Sequence, residues 1–189
     1  KKEELCEMDA RMGRRGSGAD HAERLWGPAQ LIRDNEAEGD IGENAHEAGM
    51  KMAALVPSTM GTLMSSGIME GGKAIGKKGE MGPGELADFL AGFAGGIAHR
   101  GKCQLGDRTI LDAVDAGARK ARQALTEGAD MGAMLRRAVE GAKEGVKATE
   151  DMLPKYGKAA VFSTKAKGVP DQGAVAGQYF LEGLGRYFL

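Results

Sequence analysis

Three segments of the sequence have residue types that suit anion binding at the start of a helix. Residues 101–109 read GKCQLGDRT and residues 57–62 read PSTMGT, and apolar residues at helical spacing follow each of them. The first backbone N–H groups of a helix have no partner within it, and the helix dipole adds partial positive charge there. Residues 169–174 (VPDQGA) have the composition of a turn. The same residue types also form ordinary caps and turns, so spacing alone predicts an anion-binding helical domain.

Other kinds of active site are not indicated. His21, His46 and His99 have no metal-ligand spacing with one another or with a cysteine, which argues against zinc. The sequence has no P-loop, no GxSxG nucleophile motif and no GxGxxG after a strand.

The elements that position these loops are predicted to be helices. Apolar residues recur at i, i+3, i+4 and i+7 in most of the chain, and glycine-rich breaks at 79–84, 101–106, 128–132 and 168–173 separate the stripes. Short connections favour antiparallel neighbours. The sequence therefore predicts an all-α, up-and-down bundle. The clearest stripes are Leu86, Phe89, Leu90, Phe93 and Ile97; Ile110, Leu111, Val114, Ala118, Ala121 and Leu125; and Met134, Leu135, Val139, Ala142 and Val146.

Glycine is the most unusual component, with 31 residues among 189. A glycine inside a helix costs about 1 kcal/mol relative to alanine, so each needs a reason. Close helix–helix approach is the predicted reason, and access of phosphate oxygens to backbone N–H groups at helix starts is the alternative. The predicted helices contain Gly67, Gly71, Gly72, Gly92, Gly95, Gly96, Gly117, Gly141 and Gly145.

Composition narrows the class of protein. The formal net charge is −1, which predicts no binding to nucleic acid or to anionic membranes. No apolar run reaches the roughly 18 residues of a membrane span. Cys6 and Cys103 are far apart in sequence and are interpreted as reduced thiols of a cytoplasmic protein. The length predicts a single domain over residues 1–189.

The loops together resemble DhaL, the nucleotide-binding subunit or domain of dihydroxyacetone kinases. The resemblance covers nearly the whole chain and lacks only the start of the first helix. It implies a closed barrel of eight antiparallel helices that holds a nucleotide at one end. The matching segments are 5–13 (LCEMDARMG), 39–42 (GDIG) with Gly49 and Met50, 58–63 (STMGTL), 101–112 (GKCQLGDRTILD), 156–162 (YGKAAVF) and 171–174 (DQGA).

The resemblance also implies a site and a reaction. ADP or ATP would bind with Mg²⁺, and phosphoryl would pass to a short ketose held by a DhaK-like partner subunit. The phosphoryl donor is left open between ATP and a protein of the phosphotransferase system. Asp9 matches a magnesium ligand, and Lys158 stands where the family has arginine, which keeps the charge but loses the bidentate geometry. The residues that match nucleotide-contacting positions are Thr59, Met60, Gly101, Ile110, Lys158, Asp171, Gln172 and Gly173.

The metal loop departs from the family pattern. After Gly13 the family has Asp-x-Asp-x-Gly, whereas this chain has RRGSG at residues 14–18. One set of codons for residues 14–30, with its first base removed, translates as DGDLGLTMRKGFGA, which is a family-like metal loop and helix. A local frameshift is therefore one hypothesis for this segment. If the arginines are genuine, a catalytically disabled regulatory protein is the alternative function, and a DhaL-like domain of another kinase, such as a fatty-acid kinase, is a third.

Overall fold

The computed structural model describes residues 39–156 and 167–188. Every regular element in these two ranges is helical, which confirms the all-α prediction. The helices are α1 (Ile41–Leu55), α2 (Thr59–Ile75), α3 (Pro83–Gly101), α4 (Ile110–Thr126), α5 (Met131–Ala148) and α6 (Gln172–Phe188), with a short 3₁₀ helix at Thr149–Asp151. None of the helices in the described ranges combines the length and the apolar character needed to cross a membrane.

The described residues divide into two compact units, residues 39–102 and residues 103–156 with 167–188. A single domain over the whole chain stays a prediction. In the first unit, α1 packs on α2 and α2 packs on α3.

Glycines set the spacing and direction of the helices in the first unit. A Cβ placed on Gly67 would lie 2.8 Å from the Phe93 ring, and one on Gly71 would lie 2.7 Å from the Phe89 ring. The later glycine of α2, Gly71, meets the earlier phenylalanine of α3, Phe89, so α2 and α3 are antiparallel. Phe89 and Phe93 stack with ring centroids 6.1 Å apart. The predicted stripe on α3 is buried throughout, and two of its members, the stacked phenylalanines, lie against these glycines: Leu86, Phe89, Leu90, Phe93 and Ile97.

In the second unit, α4, α5 and α6 all contact one another. A Cβ on Gly141 would lie 2.5 Å from the Ala116 carbonyl oxygen, and one on Gly145 would lie 2.8 Å from the Ala113 Cα, so α5 runs antiparallel to α4. Gly177 of α6 faces Val114 of α4, and Leu181, one turn further along α6, faces Gly117 of α4, so these two helices are parallel.

The prediction that helical glycines permit close packing is confirmed for eight of the nine. At these eight positions an added Cβ would come within 3.0 Å of a heavy atom of a neighbouring helix, a distance that real Cβ atoms do not show. Gly95 is the exception, because nothing lies within 4 Å of the position that a Cβ would take there and the space is open.

Candidate functional site

The loop before α4 is held by the carboxylate of Asp112. Its Oδ1 accepts a hydrogen bond from the Gly106 N–H at 2.6 Å, and its Oδ2 accepts one from the Thr109 N–H at 2.7 Å. Thr109 caps the helix through its Oγ1, which accepts from the Leu111 N–H at 3.2 Å. Asp112 is only 5% exposed. This reciprocal cap fixes the end of the GKCQLGDRT segment relative to the first turn of α4.

Asp107 links this loop to the chain that follows α5. Its side chain is 2% exposed, its Oδ2 accepts from the Gln104 N–H at 2.9 Å, and its Oδ1 pairs with the Lys155 Nζ. The Lys155 N–H also donates to the Asp107 carbonyl oxygen at 3.3 Å. Hydrogen bonding to Lys155 and to the Gln104 N–H lowers the pKa of Asp107 from its ordinary value of 3.8. The same pair raises the pKa of Lys155.

We expect the stabilising effect of Asp107 to depend on pH in one direction. Because its pKa is lower in the folded chain than in the unfolded chain, the ionised form stabilises the fold at neutral pH, and this effect is lost as the pH falls through the lowered value. The free energies of unfolding of the wild type and of Asp107→Asn, measured with urea, should differ most near pH 7 and converge at acidic pH. Asp151→Asn, at an exposed position, is the control and should show no such convergence. A difference that stays constant with pH would contradict the expectation.

Arg108 crosses from the loop to the segment before α6. One terminal nitrogen of its guanidinium donates to the Val169 carbonyl oxygen at 2.6 Å, across 61 residues of sequence. The residue is 4% exposed and has a φ of 60°, in the left-handed region that a non-glycine residue adopts rarely.

Asp171 caps α6 at the other side of the same cluster. Its Oδ2 accepts from the Ala174 N–H at 2.9 Å, and its own N–H donates to the Thr149 Oγ1 at 2.9 Å. The Thr149 hydroxyl is fully buried and donates to the Val146 carbonyl oxygen at 2.5 Å. Burial raises the pKa of Asp171, while the positive charge of Arg108 acts to lower it. Three loops of the second unit thus meet around one buried polar cluster.

The PSTMGT segment of the first unit begins a helix, as predicted. The Ser58 Oγ accepts from the Gly61 N–H at 3.0 Å and caps α2. Thr59 is exposed and Met60 is half-buried in the first turn. Their N–H groups belong to the set that an α-helix leaves without a partner four residues back, so this helix start is chemically suited to an anion.

The sequence profile of the DAK2 domain matches residues 28–186. The chain belongs to the DAK2 domain family. The match confirms the family resemblance that the loop motifs predicted. It starts inside the 14–30 segment, so Asp9 and the arginines of the altered loop lie before it.

Relatives of this DAK2 domain are kinases or kinase subunits by name. The chain is 29% identical to the "PEP-dependent dihydroxyacetone kinase 2, ADP-binding subunit DhaL" of Listeria innocua over 135 residues, covering 71% of the chain and 62% of that protein. It is 26% identical to a D-erythrulose kinase of Mycolicibacterium smegmatis over 180 residues, covering 92% of the chain and 30% of that protein. It is 34% identical to human triokinase/FMN cyclase over 84 residues, covering 44% of the chain and 15% of that protein. The chain thus spans less than two thirds of the length of each.

The structure brings together some of the predicted site residues of the DAK2 domain. Asp171, Gln172 and Gly173 lie at the start of α6, and Ile110 is buried at the start of α4 beside Gly177 of α6. Thr59, Met60 and Gly101 belong to the other unit. Asp9, Lys158 and the 14–30 segment lie outside the described residues. Within the described ranges, no group of three or more potential metal-ligating side chains is present.

Sequence reasoning missed several residues of the buried cluster. The sequence indicates Asp107 and Thr109 only as helix-start residues, and it gives no role to Asp112. Arg108 carries no usable signal, because its partner Val169 lies 61 residues away. Thr149 carries none, because its partner lies 22 residues away and no periodicity marks it.

Proposed function

We propose that this DAK2 domain is the nucleotide-binding component of a dihydroxyacetone-type kinase. It would bind ADP or ATP and transfer phosphoryl to a short ketose held by a DhaK-like partner. The observation that supports this most is the buried cluster itself. It fixes Asp171 at a helix start beside the 101–112 segment, and these are positions to which the DhaL resemblance assigns nucleotide contacts. The name of the Listeria relative, an ADP-binding subunit, supports the same ligand.

Each unit, taken by itself, has residues that suit a nucleotide. The start of α2 offers N–H groups of Thr59 and Met60 to phosphate oxygens, and the helix dipole favours negative charge there. Asp171 offers a carboxylate oxygen for hydroxyl or amino donors of the nucleoside. Phosphoryl transfer needs mainly positioning and neutralisation of charge, and loops held by several hydrogen bonds would supply positioning.

The donor set for Mg²⁺ does not fit in the sequence as it stands. Mg²⁺ takes oxygen ligands and neutralises phosphate charge when bound. Arg14 and Gly16 stand where the resemblance places the two carboxylates, and Arg15 lies between them, so the loop offers two cations and no carboxylate to a metal cation. This observation favours the second candidate, a DhaL-like regulatory protein that has lost phosphoryl transfer.

Titration calorimetry with Mg-ADP separates the candidates. The test compares the chain with a variant whose residues 14–27 are replaced by DGDLGLTMRKGFGA, the family-like sequence of equal length. We expect the variant to bind Mg-ADP about 100-fold more tightly, equivalent to about 2.7 kcal/mol, because positions 14 and 16 then carry carboxylates and the two arginine cations are gone. Tight binding by the unchanged chain would show that the arginines do not disable the site.

Binding by neither protein would overturn the proposed function.

A second experiment measures phosphoryl transfer to dihydroxyacetone with and without a DhaK-like subunit. We expect turnover only when the DhaK-like subunit is present, and only with the variant if Arg14 and Arg15 disable the site. Turnover by the isolated chain would mean that the acceptor binds here instead of on a partner.

A further inference from the structure

We propose that Arg108 is a positioning residue, whose buried guanidinium holds residues 168–171 against the start of α4 and thereby places the Asp171 carboxylate. The part of this proposal that concerns ligand binding rests on the proposed function, because it takes Asp171 as a nucleotide contact. The structural part, the attachment of one loop to another, stands on the contacts alone.

The first observation is the backbone of Arg108. Its φ of 60° places an L-residue in the left-handed region, which costs about 1 kcal/mol. The residue immediately precedes the Thr109 cap of α4, so the turn directs the chain into the helix. A strained backbone at a charged residue is retained when surrounding contacts hold it there.

The second observation is where the side chain ends. The guanidinium donates to the Val169 carbonyl oxygen at 2.6 Å, and the residue is 4% exposed. A buried cation is costly unless hydrogen bonds and opposite charge compensate it. Asp171 supplies such a charge: the interaction with Arg108 acts to lower its pKa, while burial and the charge of Asp112 act to raise it.

The third observation is that the loop before Asp171 is attached at several points. The Gly168 N–H donates to the Glu150 carbonyl oxygen at 3.0 Å, and the Asp171 N–H donates to the Thr149 Oγ1 at 2.9 Å. Both of these contacts tie the loop to the end of α5. The contact from Arg108 to Val169 lies between them and ties the loop to the start of α4 instead. Together with the packing of α6 on α4, it sets the position of Asp171 relative to the GKCQLGDRT segment.

Arginine suits this role better than lysine. Its planar guanidinium has five N–H donors in a fixed arrangement, so it can serve a carbonyl oxygen while its charge faces carboxylates. Lysine keeps the charge but has a single, differently placed donor group. We therefore expect Arg108→Lys to keep part of the attachment between the two loops and Arg108→Met to keep the least.

Hydrogen exchange tests the attachment without any ligand. In Arg108→Met, the amides of Gly168 and Asp171 should exchange about tenfold faster than in the wild type, and Arg108→Lys should lie between them. Arg119→Met is the matched control, since Arg119 is an exposed arginine of α4 paired with Asp115 one turn away. If Arg108→Met does not fold, as judged by its far-UV circular dichroism, Arg108→Lys decides. Unchanged exchange at both amides in a folded Arg108 variant would overturn the proposal.

ADP affinity as a function of pH tests the positioning of the carboxylate. Without the nearby cation the pKa of Asp171 rises further, so the ionised form is lost at a higher pH. The loss of ADP affinity on acidification should therefore begin at a higher pH in Arg108→Met than in the wild type, and the two affinities should converge as the pH rises. A purely structural role would weaken binding equally at every pH. Faster exchange with unchanged ADP affinity would overturn the positioning role. If the wild type does not bind ADP, the same comparison is made in the variant whose residues 14–27 are replaced by DGDLGLTMRKGFGA. Absence of ADP binding there too would overturn the proposed function and leave the exchange result to decide the attachment.

Discussion

Replacing Gly145 by alanine is expected to lower the free energy of unfolding by about 2 kcal/mol or more. The added Cβ would lie 2.8 Å from the Ala113 Cα and closer still to the Asp112 carbonyl oxygen. These are backbone atoms of α4, which cannot rotate away as the end of a side chain can. The helices must separate, and the gain in helix propensity, about 1 kcal/mol, does not offset the lost packing.

Gly183→Ala is the matched control for Gly145→Ala. Gly183 also lies inside a helix, α6, but nothing lies within 4 Å of the Cβ position. The same chemical change there should raise the free energy of unfolding by about 0.5–1 kcal/mol through helix propensity alone. Urea unfolding of the two variants measures both effects. A stabilised Gly145→Ala would show that α4 and α5 pack less closely than the structure indicates.

The helices could be predicted because their signal is local and repeated. The stripe from Leu86 to Ile97 recurs at helical spacing, and the structure buries all five of its members. The glycines could be predicted as contact residues for a related reason, since a residue that costs stability inside a helix needs a compensating contact. Gly71 against Phe89 is one such case.

The buried cluster could not be predicted from the sequence because its contacts are long-range and unrepeated. Arg108 meets Val169 across 61 residues, and Asp171 meets Thr149 across 22. Which residues meet depends on the register between α4, α5 and α6. The close approaches at glycines fix that register only after the helices have paired, so the sequence of one helix does not reveal it. Composition predicts Asp171 as a turn residue, and the resemblance predicts it as a nucleotide contact. The structure shows a capping role at α6, and the nucleotide contact stays a prediction.

Asp112→Asn is expected to lower the free energy of unfolding by about 2–4 kcal/mol. Both carboxylate oxygens of Asp112 accept backbone N–H groups, from Gly106 at 2.6 Å and from Thr109 at 2.7 Å. An asparagine amide has one oxygen and one NH₂ group, so it can serve one of these donors but must present a donor to the other. Because the site is buried, water has little access to the N–H group that loses its partner.

Asp115→Asn provides the control for Asp112→Asn on the same helix. Asp115 pairs with Arg119 one turn along at 2.7 Å, and the arginine is largely exposed. Such a surface pair contributes about 0.3–0.5 kcal/mol, so its loss should be small. Chemical denaturation gives both values. Equal losses in the two variants would mean that the cap on residues 106–109 is not the source of the stability.

The two large predictions act on the same few atoms from opposite sides. Gly145 packs against the backbone of Asp112, while the Asp112 side chain holds Gly106 and Thr109. A displaced α4 in Gly145→Ala already strains the hydrogen bonds that Asp112→Asn removes. The double variant should therefore lose less than the sum of the single losses, by about 1 kcal/mol. Strict additivity would instead mean that the loop before α4 is positioned independently of the packing between α4 and α5, so that helix packing does not reach the candidate site.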